Sequence, residues 1–468
     1  MFLGITLMAQ EHQFNPEKKF HPDSLTRWTT SIMNEISRKH PGFYRYTSKE
    51  RFDQLIDSTS RSIHDSLTEL GYYRKLKPLF AQIGCLHTGI SLSKEYQDYL
   101  DKTLTLIPIE VFIDSTHKVL ITKNHTNKDI ETGSEVLAIN NKPMPAILTT
   151  LLKAIPSDGF NTTEKILLLN HRFAFWYQTI VEVTQIFTLK IRTPAGVVKN
   201  LEVNGVSSTV FPTLTSLQTN YTKPLEFEIV NNTGILKIHS FAKSTLKHNG
   251  QNFKKYIRAT FKEIRNTGIE NLVLDLRYNT GGTDGNAVLL AAHFFDRPFR
   301  YWDKIEVTEA IAKEIKGLNR LFYSKPKKVE DSYQWRKTWL TKEFNYYDIQ
   351  KPAKNTYKGK TYILTNGLCL SSCSDFVAIL SHNKKATVIG QETGGGFQGN
   401  TSGMMPKVKI PTGLEVTVPL QKYTNAVDPN KNFGRGTIPD FEIRPTFDHW
   451  INQYDAEMDF VLRLINKR

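Results

Sequence analysis

Tyr362-Ile363-Leu364-Thr365-Asn366-Gly367-Leu368-Cys369-Leu370-Ser371-Ser372-Cys373-Ser374-Asp375-Phe376-Val377-Ala378-Ile379-Leu380 reads as a short buried strand, a tight turn at Asn366-Gly367, and a helix whose first turn is crowded with small hydroxyl residues. A serine at such a strand-to-helix junction lies among free backbone N–H groups and at the positive end of the helix dipole. Both favour a developing oxyanion. The plainer reading of Ser371, Ser372 and Ser374 is helix capping, since serine is a preferred cap residue and Asp375 suits a first turn. Taken alone, the stretch leaves both readings open.

A second stretch bears on the first. Asn271-Leu272-Val273-Leu274-Asp275-Leu276-Arg277-Tyr278-Asn279-Thr280-Gly281-Gly282 runs an apolar strand into a Gly-Gly turn, ahead of the apolar helix Ala287 to Phe295. Glycines at a strand end let backbone approach a ligand, and their N–H groups can point at a carbonyl oxygen. One unit offering a serine and one offering backbone donors make half of an acyl-transfer site. Strand and helix alternate from Gly234-Ile235-Leu236-Lys237-Ile238 through Asp275, Tyr362 and Val388, which predicts an α/β core with βαβ crossovers and a site at the carboxyl ends of its strands. Between them, Phe253, Tyr256, Ile257, Phe261 and Ile264 share one helix face.

Two further segments, Val388-Ile389-Gly390-Gln391-Glu392-Thr393-Gly394-Gly395-Gly396 and Gly434-Arg435-Gly436-Thr437-Ile438-Pro439-Asp440, complete a set that resembles, in family order, the C-terminal processing peptidases, or tail-specific proteases. The resemblance is to the branch holding the tricorn core protease and the interphotoreceptor retinoid-binding modules. Ser372-Cys373-Ser374-Asp375 stands where the family has Ser-Ala-Ser-Glu, which makes Ser372 the matching nucleophile. The resemblance implies an α/β core of ClpP/crotonase-like type with βαβ units, preceded by a helical N-terminal region and a PDZ-like β domain.

Composition sets wider bounds. The 468 residues suit two or three domains, and a 39% hydrophobic, 23% charged chain is an ordinary globular one. The net charge of +15 is scattered, denser only near Lys243 to Lys262 and Lys325 to Lys342. It forms no basic stripe of the kind a nucleic-acid protein presents, so no nucleic-acid partner is expected. The apolar start, Met1 to Gln10, resembles the tail of a secretory signal lacking its basic beginning; an N-terminal strand is the alternative. Export to the periplasm or beyond is expected, and no apolar run reaches the eighteen or so residues of a spanning helix.

Three cysteines, Cys85, Cys369 and Cys373, are too few for a disulfide scaffold or a zinc site. Neither a metal nor an organic cofactor is expected. Cys369 and Cys373 read as packing residues around the serine; a thiolate nucleophile is the lesser alternative.

The expected organisation is a truncated signal at 1–10, a helical region at 20–104, a PDZ-like domain at 105–206, and a peptidase core at 223–468 with an insertion at 301–360 that is either a lid or a surface elaboration. Helical spacing marks Thr26 to Ile36, Lys49 to Ser60 and Ile63 to Leu70. The PDZ-like reading rests on Gly133-Ser134-Glu135-Val136-Leu137-Ala138-Ile139-Asn140-Asn141-Lys142-Pro143, a strand followed by an Asn-rich turn, and is interrupted by a helix-like insert from Glu164 to Tyr177. Such a domain captures extended peptides or serves as a spacer.

In Phe80-Ala81-Gln82-Ile83-Gly84-Cys85-Leu86-His87-Thr88-Gly89-Ile90, a histidine follows a strand-like run and precedes Thr-Gly. Neutral imidazole can take a serine proton near pH 7, although a lone histidine is more often a satisfied loop residue. By the tricorn-like resemblance His87, of thirteen histidines, is the general base, with His239 second. The same resemblance points to Asp428, in Ala426-Val427-Asp428-Pro429-Asn430, as the acid that orients it, and leaves Asp440 structural. Backbone N–H groups of Gly281 or Gly282 and of Cys373 are the expected oxyanion donors.

The chain departs from the family pattern in two places. Gly394-Gly395-Gly396-Phe397-Gln398 occupies the place of the Ser-Lys dyad lysine, and Leu86 stands where the tricorn-like tetrad has serine. The expected function is therefore a serine endopeptidase acting on polypeptides through Ser372 and His87. The competing one is a catalytically inactive peptide- or apolar-ligand-binding protein on the same fold.

Overall fold

Six short runs, most of them apolar, become the strands of one sheet. In the computed structural model, which describes residues 14–466 apart from 212–220, 318–320, 322–323, 331, 337–339 and 341–347, these are β1 (Leu225–Val230), β2 (Thr233–Ile238), β3 (Asn271–Asp275), β4 (Lys360–Thr365), β5 (Thr387–Gly390) and β6 (Phe441–Glu442). The signal-like Met1 to Gln10 lies outside the described residues, as do parts of the connector after Ser207 and of the insertion.

β1 and β2 form an antiparallel hairpin through Asn231-Asn232, both in the left-handed region at φ 46° and 62°. Asparagine tolerates that conformation, and its twist suits a two-residue hairpin. From β2 onward every neighbour is parallel, and sheet order equals chain order. Parallel neighbours need crossovers. The helices Phe253–Thr267, Asp284–Ala291 and Ser372–His382 supply them after β2, β3 and β4.

The first of these helices buries Phe253, Ile257, Phe261 and Ile264, as its spacing predicts. Asn252 caps it by accepting from Lys255 N, and Gly268 ends it at φ 68°. The serine helix is apolar on every side and buries Phe376, Val377, Ala378, Ile379 and Leu380 completely. Each of the larger of these side chains stabilises the packing by roughly 1.5–3 kcal/mol. The helix is thus held rigidly, with only its first turn facing the strand ends.

The N-terminal helices Pro22–Lys39 and Lys49–Arg61 fall where the spacing puts them, but Ile63 to Leu70 does not form the predicted helix. It holds a bend and the short strand Leu67–Thr68, because the Thr68 hydroxyl accepts from Gly71 N and starts the next helix at Glu69. The strand-like run before His87 is likewise helical, Phe80 and Ala81 ending Glu69–Ala81. The hydrophobicity was read rightly and its period wrongly: Leu76, Leu79 and Phe80 pack into the main core.

A separate β domain follows, with its own core of Val111, Ile121, Val136, Leu189 and neighbours. Its antiparallel strands run Val198–Asn204, Ile186–Arg192, Glu135–Ile139, Val119–Asn124, Ile109–Ile113 across the sheet. The helix-like insert is the helix Thr163–Trp176. It covers the outer strand, where Asn170 Oδ1 accepts the Ile113 N–H at 2.8 Å. Among the described residues, no helix is long and apolar enough to cross a membrane.

Candidate active site

The serine stretch forms as its turn residues dictate. Asn366 Oδ1 accepts from Leu368 N and from Tyr278 N, tying the end of β4 to the segment after β3. Ser371 then takes φ 53°, ψ −130°, a conformation that residues other than glycine adopt only at a cost. That turn sets Ser372 at the first position of its helix.

Capping does not account for these serines. Ser371, the residue at the cap position, makes no side-chain cap bond. Ser374 Oγ donates to Ser371 O at 2.7 Å, and the buried Ser372 Oγ has no hydrogen-bond partner. An unpartnered buried hydroxyl costs about 1–3 kcal/mol. Asp375 is no cap either: its carboxylate accepts from Asn425 Nδ2 at 3.0 Å and from Asn400 Nδ2, and burial pushes it up to about 7. The thiolate alternative fails on the same ground of burial, which together with Cys369 pushes the Cys373 thiol well up.

The Gly-Gly turn packs directly on this junction. A Cβ at Gly281 would stand 2.7 Å from Leu370 O and 3.0 Å from Ser372 N, and at Gly282 2.2 Å from Ala242 N. Only glycine fits, and both residues have positive φ (91° and 135°). Two expected oxyanion donors are already spent, however. Gly281 N–H donates to Asn279 Oδ1 at 2.9 Å, and Cys373 N–H to Leu370 O at 3.0 Å. Among the described residues, the N–H groups of Gly282 and of Ser372 itself have no acceptor. We expect Gly281→Ala to lower activity at least about 10²-fold with the chain still folded, read as kcat/KM against the circular dichroism spectrum. Unchanged activity would remove the turn from the site.

His87 lies on a separate loop, between the helix that ends at Ala81 and the strand Gly89–Ser91. Its loop is pinned by Gly159 N donating to Gly84 O at 2.9 Å, and the following strand Gly89–Ser91 pairs with Glu415–Thr417. Leu86 joins Leu167, Leu368, Leu370, Tyr278 and Trp450 in one apolar cluster, so the residues flanking His87, Ser372 and the Gly-Gly turn touch one another's neighbours. His87 is largely buried, and its Nδ1 has no partner. Burial lowers its pKa, while the Asp158 carboxylate and the Thr401 backbone act to raise it.

The carboxylate beside His87 is Asp158, a residue the sequence does not single out. Its Oδ1 accepts from Leu86 N at 3.0 Å and its Oδ2 from Gly396 N at 3.1 Å. It therefore clamps the histidine loop to the glycine loop, and Gly395 in turn lies against Ser371 and Ser374. Burial raises the Asp158 pKa; His87 and the two N–H donors oppose that. Asp428 is elsewhere: its N–H donates to Nδ1 of His382, the last residue of the serine helix, at 3.4 Å, and its side chain closes a turn onto Asn430 N. Eleven residues of helix, about 15 Å, separate that end from Ser372. His239 stacks on Tyr221 and Asp440 accepts from Val388 N, so neither belongs to this cluster. No local motif marks Ser157-Asp158-Gly159 beyond a turn, which is why sequence reading passes over it.

A cleft of about 720 Å³ opens between the β domain and the core; Ser372, His87, Asp158 and the Gly281-Gly282 turn are not among its lining residues. Phe112 and Leu167 line it from one side, Tyr278 and Asn366 from the other, and Trp450 and Phe447 close one end.

Residues 232–443 match the model of peptidase family S41. Over nearly its full length the chain is also similar in fold to mature CPAF, at 14% identity and a TM-score of 0.65, covering 95% of this chain and 98% of that one. Against mature CPAF complexed with lactacystin the values are 15% identity and 0.65, with 96% and 99% covered.

Proposed function

Since residues 232–443 belong to peptidase family S41, the C-terminal processing peptidases, we propose that the chain is a serine endopeptidase that cleaves polypeptides with Ser372 as nucleophile and His87 as general base. Ser372 Oγ attacks the scissile carbonyl, and His87 takes its proton and returns it to the leaving amine. The N–H groups of Gly282 and Ser372 receive the oxyanion. Asp158 holds the imidazole's orientation and steadies its charged form, the role for which the sequence proposes Asp428. The observation that carries this reading is a pair of buried, unpartnered groups, Ser372 Oγ and His87 Nδ1, the second on a loop that the Asp158 carboxylate ties to the glycine loop packed against Ser371 and Ser374.

Substrate enters by the cleft between the β domain and the core, where Phe112, Leu167, Tyr278 and Trp450 stand among charged side chains such as Arg277, Arg435 and Glu442, a mixed lining that an extended peptide can fill. We read the β domain as PDZ-like and the six-stranded core as crotonase-like. The partnered Ile113 N–H and the covering helix argue for the spacer role of that domain over strand addition at its outer edge.

A biotinylated fluorophosphonate tests the reading. It should label the chain once, and peptide mapping should find the adduct on Ser372. The labelling rate should stay high below the ordinary histidine value of about 6.5, because burial keeps His87 neutral to a lower pH; only further acidification should protonate the base and stop the reaction. Folded protein that takes no label at any pH would instead favour a binding protein on this fold.

A further inference from the structure

Cys85, His87 and Asp158 place a thiol sulfur, an imidazole nitrogen and a carboxylate oxygen within 4.8 Å of one another. The grouping is built by the fold. Gly84, at φ 69°, turns the loop, Gly159 N holds it through Gly84 O, and the Asp158 carboxylate fixes Leu86 between the other two. Cys85 and Asp158 are buried, and His87 is partly buried. Nothing in the proteolytic step uses the Cys85 thiol, which donates to Thr401 O at 3.4 Å. The His87 Nδ1 in the same cluster is buried without a partner.

From this geometry we propose that Cys85, His87 and Asp158 bind a borderline-soft divalent cation of the zinc type, and that binding silences the peptidase reversibly. Thiolate, imidazole and carboxylate are the donors that Zn²⁺ prefers, at about 2.0–2.3 Å, while Mg²⁺ and Ca²⁺ seek oxygen cages. Three ligands draw inward by about 1 Å to reach tetrahedral bond lengths, and the fourth position stays open to water. The exchange balances: the cation displaces the Cys85 thiol proton to solvent, the sulfur keeps the bonding pair, and the imidazole gives its one lone pair to the metal. A neutral imidazole has a single lone pair. Whichever ring nitrogen is metallated, the other carries hydrogen and cannot accept the Ser372 proton. The effect on activity rests on the function proposed above; the binding does not.

The test uses the full chain stripped with a chelator. Co²⁺ should give one equivalent of thiolate-to-cobalt charge-transfer absorption, and Cys85→Ser should lose it. Zn²⁺ should suppress fluorophosphonate labelling of Ser372, a chelator should restore it, and Cys85→Ser should require at least about tenfold more Zn²⁺. Cys85→Ala is the second variant should a buried serine unfold the loop. Absence of the cobalt band in folded wild type, or a band unchanged in both variants, overturns the site. A Cys85-dependent band with labelling indifferent to Zn²⁺ overturns the silencing. Metal-free protein that takes no label refutes the peptidase reading alone, because the cobalt band is read without it.

Discussion

Ser372→Ala is expected to lower kcat by about 10⁴- to 10⁶-fold on any peptide the protein cleaves, with KM little changed and the thermal midpoint held or raised. The size follows from the role: without Oγ there is no acyl-enzyme, and only the oxyanion donors and binding remain to assist water. The unchanged stability follows from the geometry. Ser372 Oγ is buried with no partner, so deleting it removes an unsatisfied polar atom and breaks no bond. Ser374→Ala provides the contrast two residues on. It loses a hydrogen bond to Ser371 O, worth about 0.5–1.5 kcal/mol, and should keep its activity because that hydroxyl is already spent. Equal losses in the two variants would mean that the strained turn at Ser371, and not the Ser372 hydroxyl, is what the activity needs.

Asp158→Asn carries the next largest effect, a fall in kcat/KM of roughly 10²- to 10⁴-fold together with a stability loss of about 1–3 kcal/mol. Both oxygens of Asp158 accept backbone N–H groups, Leu86 on one side and Gly396 on the other. An amide offers one oxygen and one NH₂, so one of those donors meets another donor in a buried place. The charge that favours the imidazolium is lost at the same time. Asp428→Asn should change neither activity nor the pH profile, since that carboxylate closes an exposed turn beside His382. Steady-state kinetics and thermal unfolding of both variants decide between the two carboxylates. Full activity in Asp158→Asn together with a large loss in Asp428→Asn would reverse the assignment.

The parts of the site that were legible are those whose chemistry is local. A β-to-α junction with crowded serines, and a Gly-Gly turn that only glycine can make, announce themselves within a few residues. The Gly-Gly turn forms where its residues predict, but which of its N–H groups stays free depends on Asn279 Oδ1 folding back onto Gly281 and on Phe241 pairing beside Gly282. Cys373 was misjudged for a similar reason. Its N–H lies in the first helical turn, where i to i−3 bonding to Leu370 O claims it.

The helices before His87 show a different limit. Apolar residues at 79, 80 and 83 are buried, as their character requires, yet a short apolar run does not reveal its own period. The Thr68 cap and the packing of Tyr72, Leu76 and Leu79 made the run helical through Ala81.

Sequence by itself determined the alternation of strand and helix and the βαβ crossovers of the core, because each depends on side-chain pattern and turn chemistry within a dozen residues. Tertiary structure alone decided which carboxylate stands beside His87. Leu86 and Asp158 are 72 residues apart and Asp158 and Gly396 are 238 apart, and no local pattern encodes a contact made by three loops from separate elements. A buried carboxylate takes its partners from whatever backbone donors the assembled fold leaves unpaired, so its role exists only once the loops have met.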